Sequence, residues 1–153
     1  MRWLLKYLYP LQRLIWRRLR PVTRGVKVML LNGDGELVLI RNSYGRSDLF
    51  VLPGGGVRPF EAPERAARRE IREELGIEIG DVTLRSTHVA TSEGKRDTIY
   101  LFEAATSQCP VPDRFEVEEA RFFAITAPPP QTSPATLRRL AEYRGEAQPD
   151  GRW

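Results

Sequence analysis

Residues 52–78 read LPGGGVRPFEAPERAARREIREELGIE, and this stretch decides the fold. Pro53 and three successive glycines, Gly54 to Gly56, stop the short apolar strand Leu49 to Leu52. They also let the backbone come close to its neighbours. A helix is expected next, over residues 63 to 75, with Pro63 suited to its first turn and Gly76 just past its end. Ala66, Ala67, Ile71 and Leu75 recur at the spacing of one buried face, and Ile77 enters the core behind them. Glu70, Glu73 and Glu74 stand at i, i+3 and i+4, so three carboxylates are expected on nearly the same side. Glu70 and Glu74 are a like-charge i, i+4 pair, a cost of roughly 0.2–0.5 kcal/mol in an isolated helix. A divalent cation would remove that cost. Magnesium is the natural occupant, being a hard ion that takes oxygen ligands and is shared between carboxylates and a substrate's phosphates.

Standing alone, the helix also reads as a solvated surface. Glu64–Arg68 and Arg69–Glu73 are i, i+4 pairs, and Arg65 and Arg72 add compensating charge. The glycine-rich loop ahead of it changes that reading, because such turns bring main-chain groups to a ligand or a metal.

Working outward, residues 22 to 31 (VTRGVKVMLL) form a strand, Asn32-Gly33-Asp34-Gly35 a turn, and Glu36 to Arg41 the returning strand of a hairpin. After the helix, residues 81 to 90 and 97 to 104 read as strands joined around Ser92-Glu93-Gly94, and Glu118 to Ile125 as a last strand. Residues 127 to 131 are a proline-rich linker. Ser133-Pro134 supplies the cap and first turn of a helix ending at Gly145. Strands on both sides of a central helix, with a second helix at the end, indicate a mixed α/β sandwich. The domain is expected over residues 21–145, with a mobile tail over 146–153.

The composition, 41% hydrophobic and 29% charged over 153 residues, is that of one soluble globular domain. Cys109 is the only cysteine, which excludes an intramolecular disulfide, argues against a cysteine-based zinc site and fits a cytoplasmic protein. Residues 1–20 carry six cations (Arg2, Lys6, Arg13, Arg17, Arg18 and Arg20) and no acid, so the net +4 leaves about −2 for the rest of the chain. A slightly negative body argues against a general nucleic-acid surface. No window approaches the ~18 consecutive apolar residues of a membrane span, and the N-terminus lacks the features of a signal peptide. Residues 1–20 read as a basic amphipathic helix, interrupted at Pro10, with Leu4, Leu8, Leu11, Ile15 and Leu19 on one face. That face could pack on the domain or on a second copy in a homodimer. With Trp3 and Trp16 it could instead lie on an anionic membrane surface.

The spacing within residues 55–77 resembles the Nudix box at each of its nine defined positions. After Gly55 come five residues and then Glu61, and after seven more Arg69-Glu70-Ile71, then Glu73-Glu74, Gly76 and Ile77. The resemblance covers roughly residues 22 to 128 and implies an α/β/α sandwich with a mixed sheet between helices. It implies magnesium, with manganese as a substitute, bound by Glu70, Glu73 and Glu74 with the Gly55 carbonyl. It implies that Arg69 orients a glutamate, that Glu61 anchors the loop to the helix, and that Gly76 lets the chain turn.

The implied reaction is attack of water on phosphorus in a diphosphate linked to a nucleoside, with a carboxylate taking the proton. Glu70, Glu73 and Glu116 are the candidates for that base; Glu116 lies six residues before Phe122, where family members often carry such a glutamate. Arg41 could meet a substrate phosphate, and Tyr44 or Phe50 a base, Phe50 being better suited to the core. His88 reads as structural. Departures from the family are Arg58 and Phe60, where Glu and Gly are common. The residues that mark ADP-ribose, dinucleoside polyphosphate and NADH hydrolases are also missing, so the small nucleotide substrate stays open. A non-catalytic nucleotide-binding module of the same fold is the alternative, and it would be expected to have lost one of Glu70, Glu73 or Glu74.

Overall fold

The computed structural model describes residues 22–46, 48–92 and 95–153, so the helix expected over residues 1–20 lies outside the described residues. Six strands form one mixed sheet: β1 (Val22–Leu31), β2 (Glu36–Asn42), β3 (Phe50–Val51), β4 (Thr83–Ser92), β5 (Lys95–Ala105) and β6 (Val117–Ala124). The two helices are α1 (Pro63–Leu75) and α2 (Pro134–Tyr143). The strand order is β3-β2-β1-β5-β4, with β6 pairing β2; β1 and β5 run parallel and the other pairs antiparallel.

Strand alternation splits the interior in two. Val26, Val28, Leu30, Val38 and Ile40 pack against Ala66, Ala67, Ile71 and Leu75 of α1, with Ile77 behind them. The neighbouring residues Met29, Leu37 and Leu39 form a second cluster with Phe50, Leu52, Leu101 and Leu140 of α2. Each face of the sheet thus carries one helix, the α/β/α sandwich expected. Ile71 and Leu75 are fully buried, and each contributes about 1.5–3 kcal/mol by leaving water.

The hairpin turn is organised by one side chain. Asn32 Oδ1 accepts from the backbone N–H groups of Asp34 (3.0 Å) and Glu36 (2.9 Å), and Gly35 takes the left-handed backbone at φ 75°. Beyond the Leu31–Leu37 register the hairpin strands part. Residues 53–57 take the edge of β1: Val28 N–H donates to the Pro53 carbonyl (3.0 Å), Val26 N–H to Gly55 (2.9 Å), and Val57 N–H to Arg24 (2.9 Å). The glycine loop is therefore laid along a rigid strand, which fixes its approach to α1.

Glycine at position 76 (φ 66°) closes α1, donating its N–H to the Arg72 carbonyl at 3.0 Å. Ser133 caps α2, its Oγ accepting from Thr136 N–H at 3.2 Å. One expectation is corrected. Arg68 does not pair with the Glu64 carboxylate; its guanidinium donates to the Gly80 and Glu64 carbonyls, at 2.8 and 3.3 Å. The last residues have partners on the sheet. Val89 N–H donates to Gly151 (2.8 Å), Trp153 N–H donates to Val89 (3.1 Å), and Trp153 packs on the second core cluster. Backbone pairing along the outer edge of β4 is the physical reason, since an open strand edge offers free donors and acceptors.

Candidate active site

The glycine loop and α1 meet with no room to spare. A Cβ on Gly54 would stand 2.2 Å from the Val26 carbonyl oxygen, and one on Gly55 would stand 2.6 Å from the Glu70 carboxyl carbon. Only glycine lets the loop pass between strand and carboxylate. Gly54 N–H then donates to Glu74 Oε2 at 2.8 Å.

The three carboxylates of α1 are less alike than their spacing suggested. At about 100° per residue, Glu74 lies about 40° to one side of Glu70 and Glu73 about 60° to the other. Glu70 and Glu74 are accordingly buried, whereas the Glu73 side chain is 47% exposed at the rim. Burial pushes the Glu74 carboxyl up to about 8, against the pull of the Lys27 ammonium and the Gly54 N–H, while Glu70 and Glu116 push it further up. Two like charges in a poorly solvated place destabilise each other.

Arg69, itself buried, ties the set together. Its guanidinium reaches both oxygens of Glu61 at 2.8 and 2.9 Å, and also Glu70 Oε1, Glu73 Oε2 at 3.2 Å and the Gly56 carbonyl at 2.8 Å. Arg69 thus contacts three glutamates at once. Glu61 also accepts from Arg58 N–H at 2.9 Å, so its carboxylate bridges the loop and the Arg69 side chain. The Arg69 hydrogen bond first, then the Arg58 N–H, hold the Glu61 carboxyl down at about 2. Arg58 itself reaches Glu73 Oε1 at 3.4 Å.

Glu116 is delivered by a separate loop. Val111 N–H and Asp113 N–H donate to the Leu75 and Glu74 carbonyls at the end of α1, at 2.8 and 3.1 Å. Asp113 Oδ1 accepts from the N–H groups of Phe115, Glu116 and Val117, at 2.9, 3.0 and 2.9 Å. The Glu116 carboxyl is raised, by desolvation first and then by Asp113, Glu70 and Glu73. Glu116 therefore feels the charges of the helix carboxylates.

The remaining candidates are distributed differently. Arg41 pairs with Glu119 on β6 at 3.0 Å, and Tyr44 is exposed in the loop after β2. Phe50 is in the core, edge-on to Phe123 with ring centroids 5.2 Å apart. His88 is fully buried between Ser86 Oγ (2.7 Å) and Arg139 (3.0 Å). Two residues of the site had no place in the sequence reading. Asp113 leaves only the weak signal of an acid in a loop. Lys27 leaves a stronger one, a cation between Val26 and Val28 just ahead of the apolar run Met29 to Leu31.

Glu70, Glu73, Glu74 and the Gly55 carbonyl are an all-oxygen donor set, which suits a hard divalent cation. The cradle at Gly55, filled by the Glu70 carboxylate, fits such use. With Arg69 gripping Glu70 and Glu73, no three Asp, Glu, His or Cys side chains among the described residues converge as a ready metal cluster.

A family model for the NUDIX domain matches residues 21–143. The chain belongs to the Nudix family. Nudix hydrolases generally use divalent metal ions. Among curated Nudix relatives, a NAD-capped RNA hydrolase, NudC, of Deinococcus radiodurans is 31% identical over 124 residues, 78% of this chain and 44% of that protein. A nucleoside triphosphatase, NudI, of Klebsiella pneumoniae is 36% identical over 88 residues, 51% of this chain and 62% of that protein. The chain thus spans less than two-thirds of either. Among solved structures, a MutT Nudix hydrolase from Burkholderia pseudomallei superposes with a TM-score of 0.71 at 28% identity, covering 78% of this chain and 96% of that one. No helix among the described residues is long and apolar enough to cross a membrane.

Proposed function

We propose that this chain is a magnesium-dependent hydrolase that cuts a diphosphate bond in a nucleoside diphosphate linked to another moiety. A nucleotide sugar, an ADP-ribose-like compound or a nucleoside triphosphate would qualify. The observation that carries this reading is the set of carboxylates around Gly55, with Glu70 and Glu74 buried, Glu73 at the rim, and Glu116 within their field. Buried like charges are unfavourable unless a cation accompanies them, and an oxygen-only set favours magnesium, with manganese able to substitute.

When bound, the cation neutralises the diphosphate oxygens and the charge that develops on the leaving group. Glu70, Glu73, Glu74 and the Gly55 carbonyl would hold it. Arg69 holds Glu70 and Glu73 directed, and Glu61 keeps Arg69 in place. A water oxygen bonds to phosphorus as the bond to the leaving phosphate oxygen breaks, and the water's proton passes to a carboxylate. Of Glu70, Glu73 and Glu116, we favour Glu116 as the acceptor. Arg69 grips the other two, whereas Glu116 comes in on a separate loop held by Asp113. Tyr44 is suited to meet the nucleoside, and Arg41 a phosphate once it leaves Glu119.

Retention of all three helix carboxylates favours turnover over a binding-only module. The NAD-capped RNA hydrolase adds NAD-capped RNA to the substrates worth testing, and the nucleoside triphosphatase supports the nucleoside triphosphates already among them. A panel of such nucleotides with magnesium, scored for released products beside Glu73→Gln, tests the reading. Turnover reduced at least ~100-fold in the variant is expected for a residue of the catalytic set. No turnover of any substrate, or an undiminished rate in Glu73→Gln, defeats it.

A further inference from the structure

Lys27 stands where a strand would ordinarily place an apolar side chain. Val26 and Val28 on either side are buried in the main core, yet Lys27 extends to the glycine loop. Its ammonium donates to the Leu52 carbonyl at 2.9 Å and to the Gly54 carbonyl at 3.2 Å. Those carbonyls flank the bend at Pro53-Gly54, where Gly54 adopts φ 134° with no space for a side chain. The next peptide carries the Gly55 carbonyl, and Gly54 N–H in turn donates to Glu74 Oε2 at 2.8 Å. Strand, loop and helix are thus joined through one side chain: Lys27 holds Gly54, and Gly54 holds Glu74.

We propose that Lys27 is a positioning residue of the hydrolytic site, fixing the glycine loop so that the Gly54 N–H faces the Glu74 carboxylate while the Gly55 carbonyl stays paired to Val26 N–H. The inference rests on the hydrolase reading above for its kinetic consequence, but its geometric content stands apart from turnover. An ammonium suits the task because it donates in several directions from one atom, and two carbonyls at a sharp bend need two donors. Backbone pairing of β1 to Pro53 and Gly55 sets the path of the loop. The Lys27 ammonium sets the orientation of the peptide between them.

The test measures amide hydrogen exchange in the metal-free full chain and kinetics in the magnesium-loaded protein, for Lys27→Met, Lys27→Arg and the core control Leu39→Val. Loss of two bonds at the bend is expected to speed exchange at Gly54 by about tenfold or more. Neighbouring β1 amides should hold, and Lys27→Arg, which keeps donors near both carbonyls, should recover most of the protection. In turnover, Lys27→Met is expected to lower kcat by about tenfold with KM within about twofold, the mark of a lost alignment rather than of lost substrate contact. If Lys27→Met fails to fold, Lys27→Gln carries the same measurements. Exchange at Gly54 that does not change, or that rises only in step with that of Leu39→Val, overturns the proposal. Absence of turnover in the parent chain would defeat the hydrolase reading while leaving the exchange result to decide the role of Lys27.

Discussion

Arg69 grips Glu61 through two parallel hydrogen bonds, Nε to Oε1 at 2.8 Å and Nη2 to Oε2 at 2.9 Å. A planar guanidinium matched to a planar carboxylate gives a directed link between the loop and α1. The same guanidinium reaches Glu70 and Glu73, so the Glu61 bond decides where two carboxylates of the candidate site point.

That bond also has a pH signature. The Glu61 carboxyl is held at about 2 against an ordinary 4.5. A depressed carboxylate contributes stability that is complete above the unfolded value and is lost as pH falls through the folded one. Glu61→Gln should lower stability at pH 7 by about 1–3 kcal/mol. Urea titrations at a series of pH values should then show a shallower loss between 4.5 and 2 than in the parent. Identical acid slopes in the two proteins would rule the linkage out.

Gly54 and Gly55 should fail differently when changed to alanine. At Gly54 the new Cβ meets the Val26 carbonyl at 2.2 Å with φ at 134°, and a strand backbone cannot step aside. Gly54→Ala should lose more than about 3 kcal/mol and much of its soluble yield. At Gly55 the obstacle is the end of the Glu70 side chain, which can swing away. Gly55→Ala should melt near the parent yet turn over on the order of 100-fold more slowly, because a carboxylate displaced by about 1 Å is enough. Parent-like turnover in Gly55→Ala would remove Glu70 from the proposed mechanism.

Phe60 sits at φ 61° with its side chain 106% exposed, one residue before Glu61. A left-handed backbone costs a residue with a Cβ roughly 1–2 kcal/mol, and nothing among the described residues returns it through burial. Phe60→Gly should therefore raise stability by about 0.5–1 kcal/mol after allowing for the freer unfolded chain. Chemical denaturation that finds the glycine variant less stable would show that Phe60 has a packing role.

His88 should stay neutral where an ordinary histidine is charged. Burial first, and then the Arg139 guanidinium, lower its pKa. Arginine can only donate, so Nδ1 must accept and the proton sits on Nε2, facing Ser86 Oγ at 2.7 Å. For a base with a lowered folded value, stability is present above the unfolded pKa of about 6.5 and falls below it. As the only histidine in the chain, His88 gives an unambiguous NMR signal. It should show the Nε2–H tautomer unchanged at pH 6, and half-protonation near 6.5 would contradict the geometry.

Much of this was legible in the residues themselves. The strands, both helices and their caps arise from local rules: period-2 and period-3.6 burial, prolines at first turns, glycine or serine at ends. The helix face is legible residue by residue, because Ala66, Ala67, Ile71 and Leu75 are the only apolar residues of α1 after Pro63. Spacing alone also placed Glu70, Glu73 and Glu74 on adjoining faces, but not their unequal depths, which depend on how α1 is rolled against the sheet. Glu116 could be counted back from Phe122, whereas Asp113, whose one oxygen collects three N–H groups to form that loop, could not.

The sequence by itself determined the elements, the family-defining carboxylates and the apolar faces, since these depend on neighbours within about one helical turn or one strand pair. Tertiary structure alone decided which partners meet across the chain. Lys27 reaches carbonyls 25 and 27 residues away, and His88 meets Arg139 across 51. It also gave the last residues their place beside Val89 on the edge of β4. Such contacts depend on strand order and on the close approach of two backbones, and neither is encoded in any local pattern.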